Sequence, residues 1–357
     1  MLLRPRGGTL AQAIDRVLEA VPDKLVGHVT SETHSAAVEL ATDIHPDVRG
    51  AVADLAALRQ GLADVLGQLD LAAGVAGTHP FAVWHEMVVA PGARHQAVSG
   101  SVRALARREP TFALHVHIGL PDPVTAMRVA NRMRAHLPVL LALSANSPYW
   151  QGRDTGLASA RTPLFQAFPR VGIPRVFHAY SEWAEAVDLL IRTDAFPEAT
   201  FIWWDVRPQP RFGTVEVRIM DAQSTVGATT ALAALVQALT RLEAIEGFAA
   251  EELVNAPEVL EENRFLATRD GVNARLIDPV REQRVPLEAI VAELLDACAP
   301  HAAELGCSAE LALVPGLLRE GGDARQRRLA TERGGLGGLV EALSEQFVPA
   351  RARAAAP

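Results

Sequence analysis

Two short segments in which apolar and polar residues alternate constrain the fold more than any other feature of the sequence. In residues 112–119 (FALHVHIG), the alternation predicts a strand with one fully apolar face and with His115 and His117 together on the other. Residues 212–221 (FGTVEVRIMD) predict a second strand, whose polar face carries Thr214, Glu216, Arg218 and Met220. Both segments therefore predict sheet strands with one face in the core and one polar face.

A third strand is predicted just before the second, and the turn that joins them is short enough for a hairpin. The segment IWWDVRP places Asp205 and Arg207 on one face, and the turn ends at Gly213. Antiparallel pairing would bring these two side chains beside Glu216 and Arg218. Two interpretations stay open, a site that gathers metal ligands and arginines, or a ladder of cross-strand salt bridges worth ~0.2–1 kcal/mol per pair.

The composition bounds the class of protein. The chain has 357 residues, of which 49% are hydrophobic and 21% charged, and its formal net charge is −8. We expect a soluble, cytoplasmic protein without a nucleic-acid or membrane partner. Cys298 and Cys307 lack zinc-site spacing and are predicted to be reduced core thiols. Neither a membrane-spanning apolar run nor a signal peptide is predicted.

Lysine is almost absent, and this limits the possible chemistry. Lys24 is the only lysine, so a phosphate-binding P-loop is excluded, and catalysis through a Schiff-base lysine is nearly excluded. Any bound phosphate would be held by arginines, backbone amides and metal ions.

The sequence predicts one α+β catalytic domain over residues 1–350, which is helix-rich from about residue 226, and a disordered tail at 351–357. A buried strand is predicted at residues 71–80, and residues 151–175 predict a long functional loop. Helical spacing predicts helices at residues 9–20, 47–70, 93–109, 124–136, 181–193, 226–247, 249–269, 286–299, 301–320 and 322–346.

Two further regions carry candidate ligand-binding residues. Glu32 and Glu39 share one side if their segment is helical, whereas in a strand Glu39 points out of an apolar flank. A hard divalent cation bound with phosphate favours several carboxylates and an imidazole. In the long loop, Arg153 and Arg161 are candidates for gripping a carboxylate or phosphate. The alternative is a surface loop in which Arg153 pairs with Asp154.

Six motifs resemble those of the bacterial carboxylate–amine ligases of the glutamate–cysteine ligase type 2 family. They occur in order, cover most of the chain, and are AVELATDIHPD (37–47), AGTHPFAVW (76–84), HVHIGLPD (115–122), LSANSPYWQGRDTGLASARTPLFQAFP (143–169), WDVRPQPRFGTVEVRIMD (204–221) and ENRFLATRDGVNA (262–274). The resemblance implies a fold similar to the catalytic domain of glutamine synthetase, with a curved, mostly antiparallel sheet and helices on its outer face.

The same resemblance implies an activity. Members form an amide bond between a small carboxylic acid and an amine at the expense of ATP, through an acyl phosphate, and weak glutamate–cysteine ligase activity is typical. Mg²⁺ or Mn²⁺ would neutralise the phosphates, and arginines would stabilise the charge in transfer. A homodimer also agrees with the resemblance.

Site residues are carried over position by position. The resemblance implies metal binding by Glu39, His117 and Glu216, with His115 behind them. It implies that Arg218 faces the transferred phosphate as a catalytic residue, with Arg207 and Arg161 as further phosphate or substrate arginines. Substrate binding is assigned to Glu32, Arg153 and Arg161.

One departure from the family pattern lies at the start of the sequence. Members open with a strand of the type Gly-Val/Ile-Glu-x-Glu, whose glutamates join the metal site, whereas this sequence starts Met-Leu-Leu-Arg-Pro. A misassigned start codon, a shortened chain and altered chemistry all stay open. The alternative functions are a degenerate member that binds nucleotide or an amino acid, and, from His-x-His alone, a zinc hydrolase.

Overall fold

The computed structural model describes residues 1–108 and 110–349, so the tail predicted at 351–357 lies outside the described residues. The strands are short and are numbered here in chain order. They are β1 (Leu2–Leu3), β2 (Val29–Ser31), β3 (Val38–Leu40), β4 (Ala72–Ala73), β5 (Ala113–Gly119), β6 (Tyr149–Trp150), β7 (Arg153–Asp154), β8 (Val171–Gly172), β9 (Trp203–Trp204), β10 (Val206–Gln209), β11 (Thr214–Asp221), β12 (Arg275–Asp278) and β13 (Gln283–Pro286).

Helices surround these strands and dominate the last third of the described chain. They are α1 (Ile14–Ala20), α2 (Val48–Gln68), α3 (Ala93–Val102), α4 (Pro123–Met133), α5 (Leu137–Ser144), α6 (Arg161–Phe165), α7 (Tyr180–Arg192), α8 (Val226–Ile245), α9 (Glu251–Val254), α10 (Pro257–Asp270), α11 (Leu287–Glu304), α12 (Ser308–Leu311), α13 (Val314–Arg319), α14 (Gly322–Glu332) and α15 (Leu336–Glu345). Single 3₁₀ turns lie at Asp23–Leu25, Trp84–Glu86, Arg103–Arg107, Arg134–His136, Ala199–Phe201 and Gly271–Asn273.

Three of the long helices begin at a side chain that caps the first turn. The carboxylate of Asp47 accepts from the N–H of Gly50 at 2.8 Å at the start of α2. Asp122 does the same for α4, where a proline occupies the first helical position, and the Thr225 hydroxyl caps α8. These caps determine the residue at which each of the three helices begins.

The central sheet has the order β10–β11–β5, and all its strands are antiparallel. Glu216 in β11 lies opposite Arg207 in β10 on one side and opposite His117 in β5 on the other. The predicted hairpin and the predicted shared polar face are both confirmed by this register.

A β-bulge interrupts the pairing of β11 with β5. Val217 lies opposite Val116, but the next paired residue is Met220, opposite Leu114. The extra residue shifts the alternation, so Ile219 and Met220 both belong to the hydrophobic core. The prediction that Met220 lies on the polar face is therefore wrong, because strict alternation does not survive a bulge.

The apolar face of the sheet is covered by helices. Every residue of α5 is buried, and α5 packs against β11. Helix α8 is buried along most of its length because α2, α4 and α11 pack around it. The polar face is thus held on a rigid, fully packed support.

The predicted α+β class with mostly antiparallel strands and a helical C-terminal third is confirmed. The strands are grouped in short sheets, and the hairpin β12–β13 interrupts the helical third. The strand predicted at residues 71–80 is confined to β4, and the helix predicted at 322–346 is divided into α14 and α15. Gly334 and Gly335 make this break with φ values of 75° and 122°, which a right-handed helix does not adopt. Among the described helices, none has both the length and the apolar character that a membrane crossing requires.

Candidate functional site

Glu216 lies at the centre of the polar face and binds two arginines. Its side chain is buried, Arg207 Nε donates to Oε2 at 2.7 Å, and Arg218 Nη1 donates to Oε1. Burial alone would raise the pKa of this carboxyl, but its interactions with His117, Arg218 and Arg207 hold the pKa well below its usual range. Glu216 is therefore an anion that fixes two guanidinium groups at one point of the sheet.

The two histidines of β5 have different environments although they share a face. His115 Nδ1 accepts from Arg218 Nη1 at 3.3 Å, because a guanidinium can only donate, and burial followed by the charge of Arg218 lowers the His115 pKa well below its usual value. His117 is exposed, with Nδ1 at 3.0 Å from Thr214 Oγ1 and Nε2 at 3.6 Å from Glu216 Oε1. His115 is thus a neutral acceptor for Arg218, and its Nδ1 is not offered to a metal ion.

Arg161 lies beneath this face rather than in the open site. It is 5% exposed, and its guanidinium donates to the carbonyl oxygens of Ile219 at 2.8 Å and Arg218 at 3.2 Å. A third contact joins it to Asp221 Oδ1 at 3.6 Å. The sequence predicted Arg161 as a phosphate or substrate arginine of the long loop, whereas the structure places its guanidinium against the backbone of Arg218 and Ile219.

The loop that carries Arg161 is anchored on Asp221 at the end of β11. The buried carboxylate of Asp221 accepts from the hydroxyls of Ser147 at 2.7 Å and Ser159 at 3.0 Å, and from the N–H of Asn146 at 2.8 Å. Gly77 lies against it so closely that a Cβ there would be 2.7 Å from Asp221 Cγ. Asp221 therefore fixes both ends of the loop, a role that sequence alternation did not suggest.

Glu32 and Glu39 come from the hairpin of β2 and β3, so the strand interpretation of this segment is confirmed. Thr30 lies opposite Glu39, and its hydroxyl donates to Oε2 at 3.4 Å. Surrounding protein, and then the negative charge of Glu32, raise the Glu39 pKa, while Arg218 lowers it and Glu216 raises it. Glu39 therefore experiences the charges of both Glu216 and Arg218.

Arg153 is exposed in β7, opposite Trp150. The next residue, Asp154, is bound by Arg327 of α14 through two nitrogens at 2.8 and 2.9 Å. The predicted pairing of Asp154 within its own loop is thus replaced by an ion pair to a distant helix. Arg153 is left as an exposed cation on an anchored hairpin.

Arg264 of α10 is a buried arginine beside this face that the sequence reasoning missed. It is buried, and its Nη1 donates to Asp205 Oδ2 at 3.1 Å, at the edge of the same face. The only sequence signal was its place in the ENRFLATRD motif, because nothing local links α10 to the strand before β10. Burial raises the pKa of Asp205, and the charge of Arg264 acts in the opposite direction.

The residues fit a hard divalent cation by the chemistry of their donor atoms. Glu39, Glu216 and His117 offer the oxygen and imidazole donors that suit Mg²⁺ or Mn²⁺. Burial, and then the charge of Glu32, raise the Glu39 pKa, and a bound cation would offset both effects. Within residues 1–108 and 110–349, no three His, Cys, Asp or Glu side chains form a preassembled ligand group.

Comparison with known proteins gives matches over nearly the whole chain. Residues 4–345 match the sequence model of glutamate–cysteine ligase family 2. A protein of Sorangium cellulosum provisionally named glutamate–cysteine ligase 2 is 38% identical over 324 residues, which cover 90% of this chain and 86% of the relative. A protein of Rubrobacter xylanophilus provisionally named glutamate–cysteine ligase 2-1 is 34% identical over 346 residues, covering 97% and 92%.

A solved structure also resembles the fold. The crystal structure of a bifunctional glutathione synthetase from Pasteurella multocida superimposes with a TM-score of 0.67 at 14% sequence identity. The match covers 90% of this chain and 48% of that one, so the chain spans about half the length of this neighbour. At this identity the likeness supports the fold.

Proposed function

The chain belongs to glutamate–cysteine ligase family 2 and is a ligase, and from this premise we propose that it is an ATP-dependent carboxylate–amine ligase. The carboxylate of an acid substrate takes the terminal phosphoryl group of ATP and becomes an acyl phosphate. The amine then attacks the acyl carbon, the carbon–oxygen bond to phosphate breaks, and an amide forms. Glutamate and cysteine are the first acid and amine to test, since the family is named for them.

The observation that carries this proposal is the convergence of Arg207 and Arg218 on the buried carboxylate of Glu216. Phosphoryl transfer spreads negative charge over several oxygens, and cations fixed in advance stabilise that charge without reorganising. Arginine is suited to this task because its planar fork matches phosphate oxygens. With Lys24 as the only lysine, arginines are also the cations that the chain has to offer.

The arginines have different parts in this proposal. Arg218 faces the transferred phosphoryl group, and its side chain is oriented by Glu216 and His115. Arg207 supplies the second cation from β10. Arg161 acts through Arg218, because its contacts are with the backbone that carries that residue.

Glu39, His117 and Glu216 would hold Mg²⁺ or Mn²⁺. When bound, the ion neutralises phosphate oxygens and polarises the group in transfer. Glu32 adds a negative charge beside Glu39, which favours binding of the amine substrate as its ammonium ion. That ion gives up a proton to solvent before the neutral amine attacks. Arg153, exposed on its hairpin, is assigned to the carboxylate of a substrate.

The test is coupled product formation by the purified chain. With ATP, Mg²⁺, glutamate and cysteine, we expect ADP and an amide product that both require the acid and the amine. Arg218→Ala should abolish both products. Arg128→Ala is the matched control, because Arg128 is an exposed arginine of α4 whose side chain donates to the Ala244 carbonyl at 2.9 Å, and it should retain activity.

The second candidate function is a nucleotide- or amino-acid-binding protein without turnover. Binding of ATP with no ADP formation across a broad panel of acids and amines would favour it. Absence of both ATP binding and turnover would contradict the ligase proposal.

A further inference from the structure

Phe212 is an exposed aromatic residue at the rim of the polar face. It lies in the turn between β10 and β11, two residues before Thr214, and 57% of its surface is exposed. A single exposed apolar residue is common on protein surfaces and needs no partner. The surroundings of this ring are what distinguish it.

Two neighbours hold the Phe212 ring in a defined place. The His117 ring packs against it in an edge-to-face manner, with centroids 5.9 Å apart and an interplanar angle of 79°. The Arg211 guanidinium carbon lies over the ring, 5.5 Å from its centroid. The turn itself is closed by the Phe212 N–H, which donates to the Gln209 carbonyl at 3.1 Å.

The same histidine links Phe212 to the phosphate-facing residues. His117 Nε2 is 3.6 Å from Glu216 Oε1, and Glu216 is bound by Arg218. The Phe212 ring is therefore connected to the arginine pair through the His117 imidazole and the Glu216 carboxylate. A nucleotide whose phosphates lie at Arg218 must place its base to one side of them, and Phe212 offers an aromatic surface at such a distance.

We propose that Phe212 is the stacking platform for the purine base of the nucleotide, and that Arg211 completes the platform; this inference rests on the proposed use of ATP. Aromatic side chains stack on nucleobases through their π faces, and arginine adds a cation–π contribution. The platform accounts for an aromatic ring that is fixed in position, exposed, and adjacent to the site.

The experiment compares two ligands on the full chain by calorimetric titration. Mg²⁺–ATP carries the base, whereas Mg²⁺–tripolyphosphate presents the phosphates alone. In Phe212→Ala, we expect ATP affinity to fall roughly ten- to a hundred-fold, while affinity for tripolyphosphate stays unchanged. Phe212→Trp should retain ATP affinity, because the aromatic face remains.

A closely matched control is available in α10. Phe265 is 50% exposed and has the Arg269 guanidinium carbon 5.7 Å from its ring centroid, so it repeats the exposed arginine–aromatic pair away from His117. Phe265→Ala should bind both ligands as the original chain does.

Three results would overturn the platform: unchanged ATP affinity in Phe212→Ala, an equal loss for ATP and tripolyphosphate, or a wild-type chain that binds ATP no better than tripolyphosphate. An equal loss would mean that the ring acts only through His117. Binding of neither ligand by the wild-type chain would instead contradict the proposed function itself, together with the inference that rests on it.

Discussion

Arg161 donates to the backbone carbonyl of Arg218 at 3.2 Å and to that of the following residue, Ile219, at 2.8 Å. These two residues form the bulge in β11, where the ladder to β5 is interrupted. A bulge leaves backbone groups without hydrogen-bond partners in the neighbouring strand, and the guanidinium group of Arg161 donates to two such carbonyl groups. Arg161 thereby fixes the backbone position from which the Arg218 side chain reaches Glu216.

Arg161→Lys should lower kcat with little change in the KM for ATP. A lysine keeps the charge but loses the planar fork, and displacement of a catalytic group by about 1 Å can cost roughly a hundred-fold in rate. Steady-state kinetics at saturating metal measures both constants, with Arg128→Lys as the control. A raised KM at unchanged kcat would instead assign Arg161 to substrate binding, as the sequence alone had suggested.

Glu216→Gln should destabilise the fold as well as abolish turnover. The substitution leaves Arg207, which is 7% exposed, as a buried cation without its anionic partner. Removing one member of a buried ion pair typically costs about 3–5 kcal/mol. The free energy of unfolding in urea measures this loss.

The control for that measurement is an exposed ion pair. Glu185→Gln removes the partner of Arg192, and both side chains are well exposed, so its effect should lie within about 1 kcal/mol. A Glu216→Gln variant as stable as this control would mean that the arginines do not depend on Glu216.

Glu39→Gln should weaken metal binding without affecting the fold. Glu39 is the exposed residue of β3, where the surrounding protein and then the charges of Glu32 and Glu216 raise its pKa, and a divalent cation would offset these effects. Titration with Mn²⁺, followed by calorimetry, tests binding independently of turnover. Glu341→Gln, an exposed glutamate of α15, should bind Mn²⁺ unchanged, and equal affinity in both variants would remove Glu39 from the metal site.

His79 should make the fold less stable in acid. Its Nε2–H donates to the Gly8 carbonyl at 2.8 Å, while Nδ1 accepts from the N–H groups of Phe81 at 3.3 Å and Ala82 at 3.0 Å, so the folded ring is neutral. Burial lowers its pKa to about 4. In the unfolded chain the His79 imidazole takes up a proton below about pH 6.5, whereas in the folded chain it does so only below about pH 4. The free energy of unfolding therefore decreases as the pH falls between these two values.

The expected size of this effect is up to about 1.4 kcal/mol per pH unit. His79→Gln removes the titrating group, so its loss of unfolding free energy between pH 6.5 and 5 should be smaller than that of the original chain by roughly 1.5 kcal/mol. Urea unfolding at the two pH values measures the difference. His178→Gln, at an exposed position, should behave as the original chain does, and equal pH slopes for both variants would disprove the role of His79.

The sequence predicted the parts of the site that depend on strand periodicity. Alternation alone placed Glu216 beside Arg207 and put His115 and His117 on one face, because residues two apart share a face of a strand. It failed at the bulge, where one extra residue moved Met220 into the core. Periodicity cannot predict such an insertion, since the bulge is held by Arg161, which lies far away in the sequence.

Long-range contacts were the other part that the sequence left unassigned. Arg264 reaches Asp205 from α10, and Asp221 anchors Ser147 and Ser159 across the chain. No spacing rule connects residues so far apart, because their proximity follows from how α5, α10 and β11 pack. The motifs signalled that these segments belong together, and the packing determines which side chains meet.

The central claim, amide formation through an acyl phosphate, is tested most directly by an oxygen-transfer measurement. The accepted carboxylic acid is supplied with oxygen-18 in its carboxyl group, together with ATP, Mg²⁺ and the amine, and the released phosphate is analysed by mass spectrometry. Because the carboxylate oxygen leaves with the phosphoryl group, we expect one labelled oxygen in each phosphate released with the amide. Amide formed alongside unlabelled phosphate would contradict the account.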